Sequence, residues 1–242
     1  MTAQTVNIDY DTLMTTLRVQ RASSRAAILR VFAEQVAERG YSDTSISDVA
    51  SALGLSKGTV VHHFGSKNQL LLEVHTAYFE RRFAEAEYLL GELDDPVSQF
   101  SGIVFALLAG HRDDRAASLT FLREFVRYVD GGLSEHVRTE RQNYRRLVTR
   151  IIEAGVEAGD FETSSPQLVT MQLFGMCNYA WTWYRLDGES SVEEIAELFA
   201  KTILVGLRPS GQNEDMNSLD ARIREGIAVV RRAPGRLPPE YQ

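Results

Sequence analysis

Small hydroxyl, glycine and cationic residues are concentrated between residues 44 and 67, in the sequence TSISDVASALGLSKGTVVHHFGSK. Ser45, Ser56 and Ser66 each stand where a side-chain oxygen can cap the N-terminus of a helix, and Gly54 breaks the chain between the first two of these helices. The helices are therefore short and joined by tight turns. A short helix presented in this way can enter the DNA major groove. The pattern predicts a helix-turn-helix that binds double-stranded DNA.

The helix predicted at residues 57–63 is the one that would read the DNA. It is about 10 Å long, so only a few of its side chains can reach base edges. Gly58 would allow the backbone to approach closely, and Thr59 offers a hydroxyl group. Helix N-termini and cationic side chains around it would hold phosphates. The candidate DNA contacts are Arg21, Arg25, Thr44, Ser45, Ser56, Lys57, Gly58, Thr59, Val60, His62, His63 and Lys67.

The adjacent pair His62 and His63 also suggests a metal site. Neighbouring residues of an α-helix point about 100° apart, so the two rings are poorly placed to chelate one ion. Cys177 is the single cysteine, which excludes an internal disulfide framework and cannot form a zinc site alone. We therefore expect no metal and no cofactor. Redox sensing at Cys177 is an alternative, although a lone cysteine in an apolar helix more often acts as a small hydrophobic residue.

The charge of the chain is unevenly distributed. The 242 residues carry a net charge of −7, but residues 18–70 carry seven Lys or Arg against four acids, +3, which leaves −10 elsewhere. A basic N-terminal region, residues 18–70, joined to an acidic remainder suits a protein that binds selected DNA sites. The N-terminus lacks the features of a signal peptide, and no apolar run approaches the roughly 18 residues that span a bilayer. We expect a cytoplasmic protein without a membrane partner.

Hydrophobic residues recur with helical spacing along the whole chain, and no segment alternates with period two for long enough to form a strand. The prediction is an all-α fold of about nine helices. These helices are expected near residues 23–39, 46–53, 57–63, 67–90, 96–111, 114–129, 134–158, 166–186 and 192–207.

The predicted domains follow from this pattern. They are an N-terminal extension at 1–22, a helix-turn-helix DNA-binding domain at 23–72, a larger helical domain at 73–208 and a C-terminal extension at 209–242. The last segment includes a possible amphipathic helix near 219–230, which could lie loose or pack on a partner subunit.

The N-terminal motif resembles that of the TetR family of transcriptional regulators. The resemblance is dense over residues 25–72, and beyond residue 75 only the helical layout agrees. The matching residues are Phe32, Gly40, Tyr41, Thr44, Ile46, Val49, Ala50, Gly54, Leu55, Ser56, Lys57, Gly58, Thr59, His63, Phe64, Lys67 and Leu70.

This resemblance implies a three-helix DNA-binding domain followed by a ligand-binding and dimerisation domain. The homodimer would place two recognition helices about 34–36 Å apart on a palindromic operator. Val61 departs from the family pattern, where an aromatic residue, commonly tyrosine, is usual at this position. One contact to a phosphate is therefore not carried over.

Residues 168–186 form an apolar, aromatic segment that should be buried on more than one face, most simply as dimer core. The sequence from Trp181 to Ala196 resembles the branch of the family that responds to acyl-CoA thioesters in fatty-acid or steroid degradation. That resemblance implies an apolar pocket with basic residues near its mouth. The candidates are Phe121, Phe125, Tyr144, Met171, Phe174, Asn178 and Trp181 for the lining, and Arg145 or Arg185 for an anion.

The resulting hypothesis is a DNA-binding regulator, repressor or activator, with repression released by a small apolar or acyl-CoA-type effector as the preferred form. One alternative is a regulator or architectural DNA-binding protein with a different inducer or with none. Another is an all-α enzyme, but no paired carboxylates, nucleophile motif or phosphate loop supports catalysis. We therefore expect a protein that is not an enzyme.

Overall fold

The computed structural model describes residues 10–124, 135–211 and 215–234, and side chains from Ser24 onward. Ten α-helices and one 3₁₀ turn, Ala180–Thr182, make up the regular structure of the described residues, which contain no strand. The all-α prediction is confirmed. The helices are α1 (Tyr10–Arg39), α2 (Ile46–Ala52), α3 (Lys57–Phe64), α4 (Lys67–Glu92), α5 (Pro96–Asp113), α6 (Arg115–Glu124), α7 (Glu135–Ala158), α8 (Pro166–Tyr179), α9 (Val192–Gly206) and α10 (Met216–Arg231).

The chain forms two compact units, one up to Val74 and one from His75 onward. In the first unit, Ser45 Oγ accepts a hydrogen bond from Asp48 N at 3.1 Å, and Ser56 Oγ accepts one from Thr59 N at 3.0 Å. These caps satisfy backbone donors that would otherwise be orphaned at the N-termini of α2 and α3. The core of this unit is formed by Ile28, Phe32, Val36, Val49, Val60, Phe64 and Leu70.

The turn between α2 and α3 depends on Gly54, whose φ is +64°. A residue with a Cβ atom pays a steric penalty in this left-handed conformation, so the glycine fixes the angle between the two helices.

The first helix begins at Tyr10, thirteen residues before the predicted start near residue 23. Residues 10–22 contain neither glycine nor proline, so nothing in that stretch interrupts the helix. The N-terminal extension is thus helical from Tyr10.

The second unit is built around α5, in which every residue from Val97 to His111 is buried. Helices α6, α7, α8, α9 and α10 all pack on it, and α10 makes the most extensive contact. The segment expected as a C-terminal extension therefore contributes a core helix. Its buried residues are Leu219, Ile223, Gly226, Ile227, Val229 and Val230.

An ion-pair cluster fixes the start of α5 to α10. Asp95 caps α5 by accepting from Ser98 N at 2.8 Å, and Arg222 Nε donates to Asp95 Oδ1 at 3.1 Å. Burial acts to raise the pKa of Asp95, but the hydrogen bonds from Arg222 and Ser98 outweigh it and hold the pKa below its usual value. Arg222 also pairs with Asp160 at 2.9 Å.

Helix α8 ends at Tyr179, earlier than the predicted end near residue 186. Beyond Ala180 the sequence Trp-Thr-Trp-Tyr consists of weaker helix formers, and the chain passes through the 3₁₀ turn Ala180–Thr182 instead. Among the described residues, no helix has both the length and the apolar character that crossing a bilayer requires.

Candidate DNA-binding face and ligand cavity

The exposed face of α3 presents a small set of side chains to solvent. Lys57, Gly58, Val61 and His62 are exposed, and Thr59 is half-buried. The opposite face holds Val60 and Phe64, which are one helical turn apart and buried. The face could meet DNA through a lysine, a glycine backbone, a hydroxyl and an imidazole.

Two sequence candidates for DNA contact lie in the interior of the first unit. Val60 is 0% exposed, whereas Val61 is 39% exposed, so Val61 takes the outward place that was predicted for Val60. Thr44 is also buried, and its hydroxyl donates to the carbonyl oxygen of Gly40 at 2.9 Å. Both residues therefore belong to the core of the first unit and not to the DNA contacts, because their side chains are buried and cannot reach DNA.

Arg25 is held by contacts within the first unit. Its guanidinium donates to the carbonyl oxygen of His63 at 2.9 Å, pairs with Glu73 and lies 4.3 Å from the centroid of the Phe64 ring. These contacts join α1 to the end of α3 and to α4. The Arg25 side chain is nevertheless 41% exposed, so its contact with DNA stays a prediction. The side chain of Arg21 lies outside the described residues.

Lys67 stands at the start of α4. Its Nζ lies 4.1 Å from the centroid of the Tyr41 ring and donates to the carbonyl oxygen of Ser42 at 3.3 Å. Ser45 and Ser56 are exposed and act as helix caps, and His63 is half-buried. Exposed residues with hydroxyl groups thus stand at the N-termini of α2 and α3.

The second unit contains a cavity of about 220 Å³ lined by side chains of α4, α5, α6, α7 and α8. Six of the sequence candidates line it, and six further residues were missed by sequence reasoning. The twelve are Phe121, Tyr144, Arg145, Met171, Phe174 and Asn178, and then Tyr78, Phe79, Leu107, Arg138, Arg141 and Gln142.

Part of the cavity lining is aromatic. Tyr78 stacks on Phe121 with ring centroids 4.6 Å apart, and Phe79 meets Phe121 edge-on at 5.1 Å. Tyr144 lies 6.2 Å from Phe174 across the cavity wall. Such surfaces favour an apolar ligand.

One face of α7 gives the cavity a cationic side. Arg138, Arg141 and Arg145 follow each other at intervals of three and four residues, which places them on the same helical face. Burial, and then the neighbouring charge of Arg145, lowers the pKa of Arg141. Guanidinium groups stay charged in proteins, so this side of the cavity can bind an anion. The spacing was the signal by which Arg138 and Arg141 could have been found.

Three candidates for ligand contact do not join this cavity. Trp181 lines an adjacent surface groove, which it shares with Phe121, Arg141 and Asn178. Arg185 was predicted to bind an anion at the pocket, but it is not among the residues that line the cavity. It lies beyond the end of α8 at Tyr179, is exposed, and its Nε pairs with Asp187 Oδ1 at 3.3 Å. Phe125 lies outside the described residues.

Cys177 is buried, and burial raises the pKa of its thiol above the ordinary value. A protonated, enclosed thiol is a poor target for oxidants, which weighs against the redox alternative. His111 Nε2 lies 3.0 Å from the carbonyl oxygen of Cys177 and must donate, because a carbonyl only accepts. Across the part of the chain that the structure describes, no group of three His, Cys, Asp or Glu residues is arranged for a metal ion.

Two family models match the chain. Residues 28–74 match the bacterial regulatory proteins of the tetR family, and residues 93–207 match the tetracyclin repressor-like C-terminal domain. The regulator TcmR of Streptomyces glaucescens is 30% identical over 195 residues, covering 77% of this chain and 83% of TcmR. The chain belongs to the TetR family. It is therefore a DNA-binding transcriptional regulator, as the sequence motif predicted.

Two further TetR-family comparisons bear on the second unit. The transcriptional repressor KstR2 of Mycolicibacterium smegmatis is 26% identical over 195 residues, covering 79% of this chain and 94% of KstR2. The crystal structure of AibR in complex with isovaleryl coenzyme A and operator DNA superposes with a TM-score of 0.66 at 20% identity, covering 76% of this chain and 98% of AibR. The AibR comparison establishes the shared fold. Helix α10 begins at Met216, beyond residue 207, where the match to the second family model ends.

Proposed function

We propose that this TetR-family protein is a homodimeric repressor that leaves its operator when an apolar, anionic effector of the acyl-CoA type binds the second unit. The observation that carries the proposal is the cavity itself, with aromatic rings inside and three arginines of α7 on one side. An effector can release DNA only by binding the two conformations of the regulator with different affinities. Acting on chromosomal DNA, the regulator would work in the cytoplasm.

The charge of the second unit supports an anionic effector. Residues 138–150 carry five arginines and one glutamate, +4, whereas the rest of 75–242 carries 14 basic and 25 acidic residues, −11. A cationic patch in an otherwise acidic domain indicates a binding site for a phosphate or carboxylate group. The isovaleryl coenzyme A bound to AibR supports the same effector class. The repressor KstR2 supports repression as the mode of regulation.

The dimer would use the outward faces of α8 and α9. Leu168, Met171 and Tyr179 are exposed along α8, at spacings that keep them on one helical face. Leu198 and Val205 are exposed on one face of α9. Apolar side chains repeated on one face favour association with a second copy.

The proposed DNA contacts are the exposed residues of α3 and the helix N-termini beside it. Lys57, Thr59, Val61 and His62 would reach the groove, and Gly58 would bring the backbone close. The Ser45 and Ser56 caps leave N–H groups of α2 and α3 that can meet phosphates.

The two alternative functions are less well supported. A regulator without an inducer needs no cavity, whereas this one has an apolar cavity with an arginine face. An all-α enzyme would need positioned catalytic groups, and the residues lining the cavity offer neither a nucleophile–base pair nor paired carboxylates. Turnover of a substrate by the pure protein would contradict the prediction that it is not an enzyme.

The test is a gel-shift titration on the DNA upstream of the protein's own gene, and on palindromes selected from random DNA, with and without acyl-CoA thioesters. We expect a retarded dimer complex that the thioesters release. The double variant Arg141→Gln/Arg145→Gln should keep DNA affinity and lose at least tenfold in thioester sensitivity, whereas Arg224→Gln on α10 should behave as wild type. Binding indifferent to every thioester would defeat the effector class, and absence of binding to any DNA would defeat the repressor.

A second variant tests the DNA face. Lys57→Ala/Thr59→Ala should weaken operator binding by tenfold or more, because it removes a charge and a hydroxyl from the exposed face of α3. Size-exclusion chromatography should find the variant dimeric. Unchanged DNA affinity would contradict the placement of α3 in the groove.

A further inference from the structure

Tyr144 lines the cavity and carries a buried hydroxyl group. The residue is 4% exposed, and among the described residues its hydroxyl has no hydrogen-bond partner. Two phenylalanine rings lie beside it, Phe83 at 5.5 Å and Phe174 at 6.2 Å between centroids. The buried ion pair of Arg82 and Glu85 is also near enough for its charges to act on the phenol. Burial raises the pKa of the phenol, so the hydroxyl keeps its proton and is a donor.

An unsatisfied buried donor is unusual in a folded protein. Most buried polar atoms have a partner, and a lone hydroxyl loses its hydration without compensation. A phenylalanine in place of Tyr144 would pack against the same rings without burying an unpaired hydroxyl group. Packing alone therefore does not explain why this residue carries a hydroxyl group.

Asn178 adds a second polar group to the same cavity. It lies on α8, opposite the α7 residues that include Tyr144, and no hydrogen bond joins its side chain to another described residue. Its amide can both donate and accept. The cavity thus combines aromatic rings with several neutral polar groups, since Tyr78 and Gln142 also line it, in addition to the arginines.

We propose that Tyr144 is a specificity-determining residue, whose hydroxyl donates a hydrogen bond to an uncharged oxygen of the effector. The cavity then selects apolar ligands that carry a carbonyl or hydroxyl group over plain hydrocarbon of the same size. This inference rests on the proposed function, since the anionic end of the ligand binds Arg138, Arg141 and Arg145. The oxygen is either the thioester carbonyl or one farther along the acyl chain.

The selectivity follows from what each ligand leaves unpaired. An oxygen-bearing ligand satisfies the Tyr144 donor on binding, whereas a hydrocarbon leaves the donor buried and unpaired. Sites built to bond a ligand hydroxyl or carbonyl reject analogues that lack it much more strongly than apolar pockets reject a missing methylene.

The experiment compares wild type with Tyr144→Phe, using Tyr88→Phe on α4, outside the cavity, as the matched control. Three ligands are titrated by calorimetry: S-hexyl-CoA, a thioether without a carbonyl, then hexanoyl-CoA and 5-oxohexanoyl-CoA. Tyr144→Phe should lose roughly tenfold in affinity for the ligands whose oxygen it meets and nothing for S-hexyl-CoA. Loss for both acyl ligands assigns the thioester carbonyl, and loss for 5-oxohexanoyl-CoA alone assigns the chain carbonyl.

Melting of the ligand-free protein gives an independent readout. Removal of the orphaned hydroxyl should raise the melting temperature of Tyr144→Phe by about 2–4 °C over wild type and Tyr88→Phe. A lower melting temperature would reveal a protein partner for the hydroxyl and overturn the proposal.

The ligand outcomes separate the two proposals. Equal affinities of wild type and Tyr144→Phe for all three ligands would overturn the role of Tyr144 and leave the effector class standing. If none of the three binds wild type, the effector class fails and the role of Tyr144 falls with it.

Discussion

Gly226 on α10 lies directly against the backbone of Ser98 on α5. A Cβ atom built on Gly226 would stand 1.8 Å from the carbonyl oxygen of Ser98 and 2.9 Å from the amide nitrogen of Gly102. Gly102 faces the same crossing, because its own Cβ would lie 3.0 Å from the carbonyl oxygen of Gly226, as well as 2.6 Å from a movable methyl carbon of Leu89. The two helices therefore cross backbone to backbone, and α10 is locked to the central helix of the second unit.

We expect Gly226→Ala to lower the free energy of unfolding by about 1–3 kcal/mol or more, because the obstructing atoms are backbone and cannot turn aside. Urea unfolding followed by circular dichroism measures the change. Gly91→Ala on α4 is the control: no atom lies within 4 Å of a Cβ built there, so stability should be kept or slightly raised. Equal stability of Gly226→Ala and wild type would contradict the close crossing.

The first unit could be predicted well because its signals are local. The caps at Ser45 and Ser56, and the break at Gly54, act over three or four residues, and each has the predicted role in the structure. The face of α3 was harder to predict. In a helix of eight residues, two adjacent valines leave the inward position ambiguous, and the partners that decide it come from other helices.

The second unit depends on contacts between residues far apart in the sequence. Asp95 and Arg222 are separated by 127 residues, and the crossing of α5 and α10 has no local signature. Part of the cavity lining was predicted because the resemblance pointed to an apolar pocket. Arg185 was misplaced because the end of α8 was predicted seven residues too late, a kind of error that local propensities do not prevent.

The pair Val60→Ala and Val61→Ala tests the orientation of α3. Val60 is in the core, so its truncation should cost about 1–3 kcal/mol of stability by loss of buried apolar surface. Val61→Ala should leave stability within about 0.5 kcal/mol of wild type, because the side chain is exposed. Thermal unfolding of both variants measures this difference. The opposite order of stabilities would mean that α3 is rotated about its axis.

Gly58→Ala should separate stability from DNA binding. The nearest atom to a Cβ built at Gly58 is Ser56 Oγ at 3.6 Å, an ordinary contact, so the helix can accept alanine. Alanine is the better helix former, and the free energy of unfolding should rise by about 0.5–1 kcal/mol. The added methyl group on the exposed face of α3 should weaken operator binding by tenfold or more.

Melting and gel shifts on the same Gly58→Ala preparation provide the two readouts. Gly91→Ala, which changes a residue of the second unit, should keep operator affinity. Operator affinity that is unchanged in Gly58→Ala would show that the backbone at this position does not approach DNA closely.

The stability of the protein should fall as the pH drops from 7 to 5, in part because of His75. This side chain is buried, packs edge-on against Phe121 at 5.6 Å and bonds the backbone of Thr120. Burial lowers its pKa to about 3. In the unfolded chain the group titrates near about 6.5, so between these values the unfolded state binds one more proton. The contribution is complete above the unfolded pKa and is lost as the pH falls toward 3.

A single such group contributes a slope of about 1.4 kcal/mol per pH unit below its unfolded pKa, or about 2 kcal/mol between pH 7 and pH 5. His111, whose pKa burial also lowers, adds to the same slope. His75→Gln keeps a hydrogen-bonding side chain without the titration, so urea unfolding at several pH values should give a shallower dependence than wild type. His136→Gln, at an exposed position of α7, should leave the dependence unchanged. A wild-type slope that persists in His75→Gln would mean that His75 is already protonated in the folded protein.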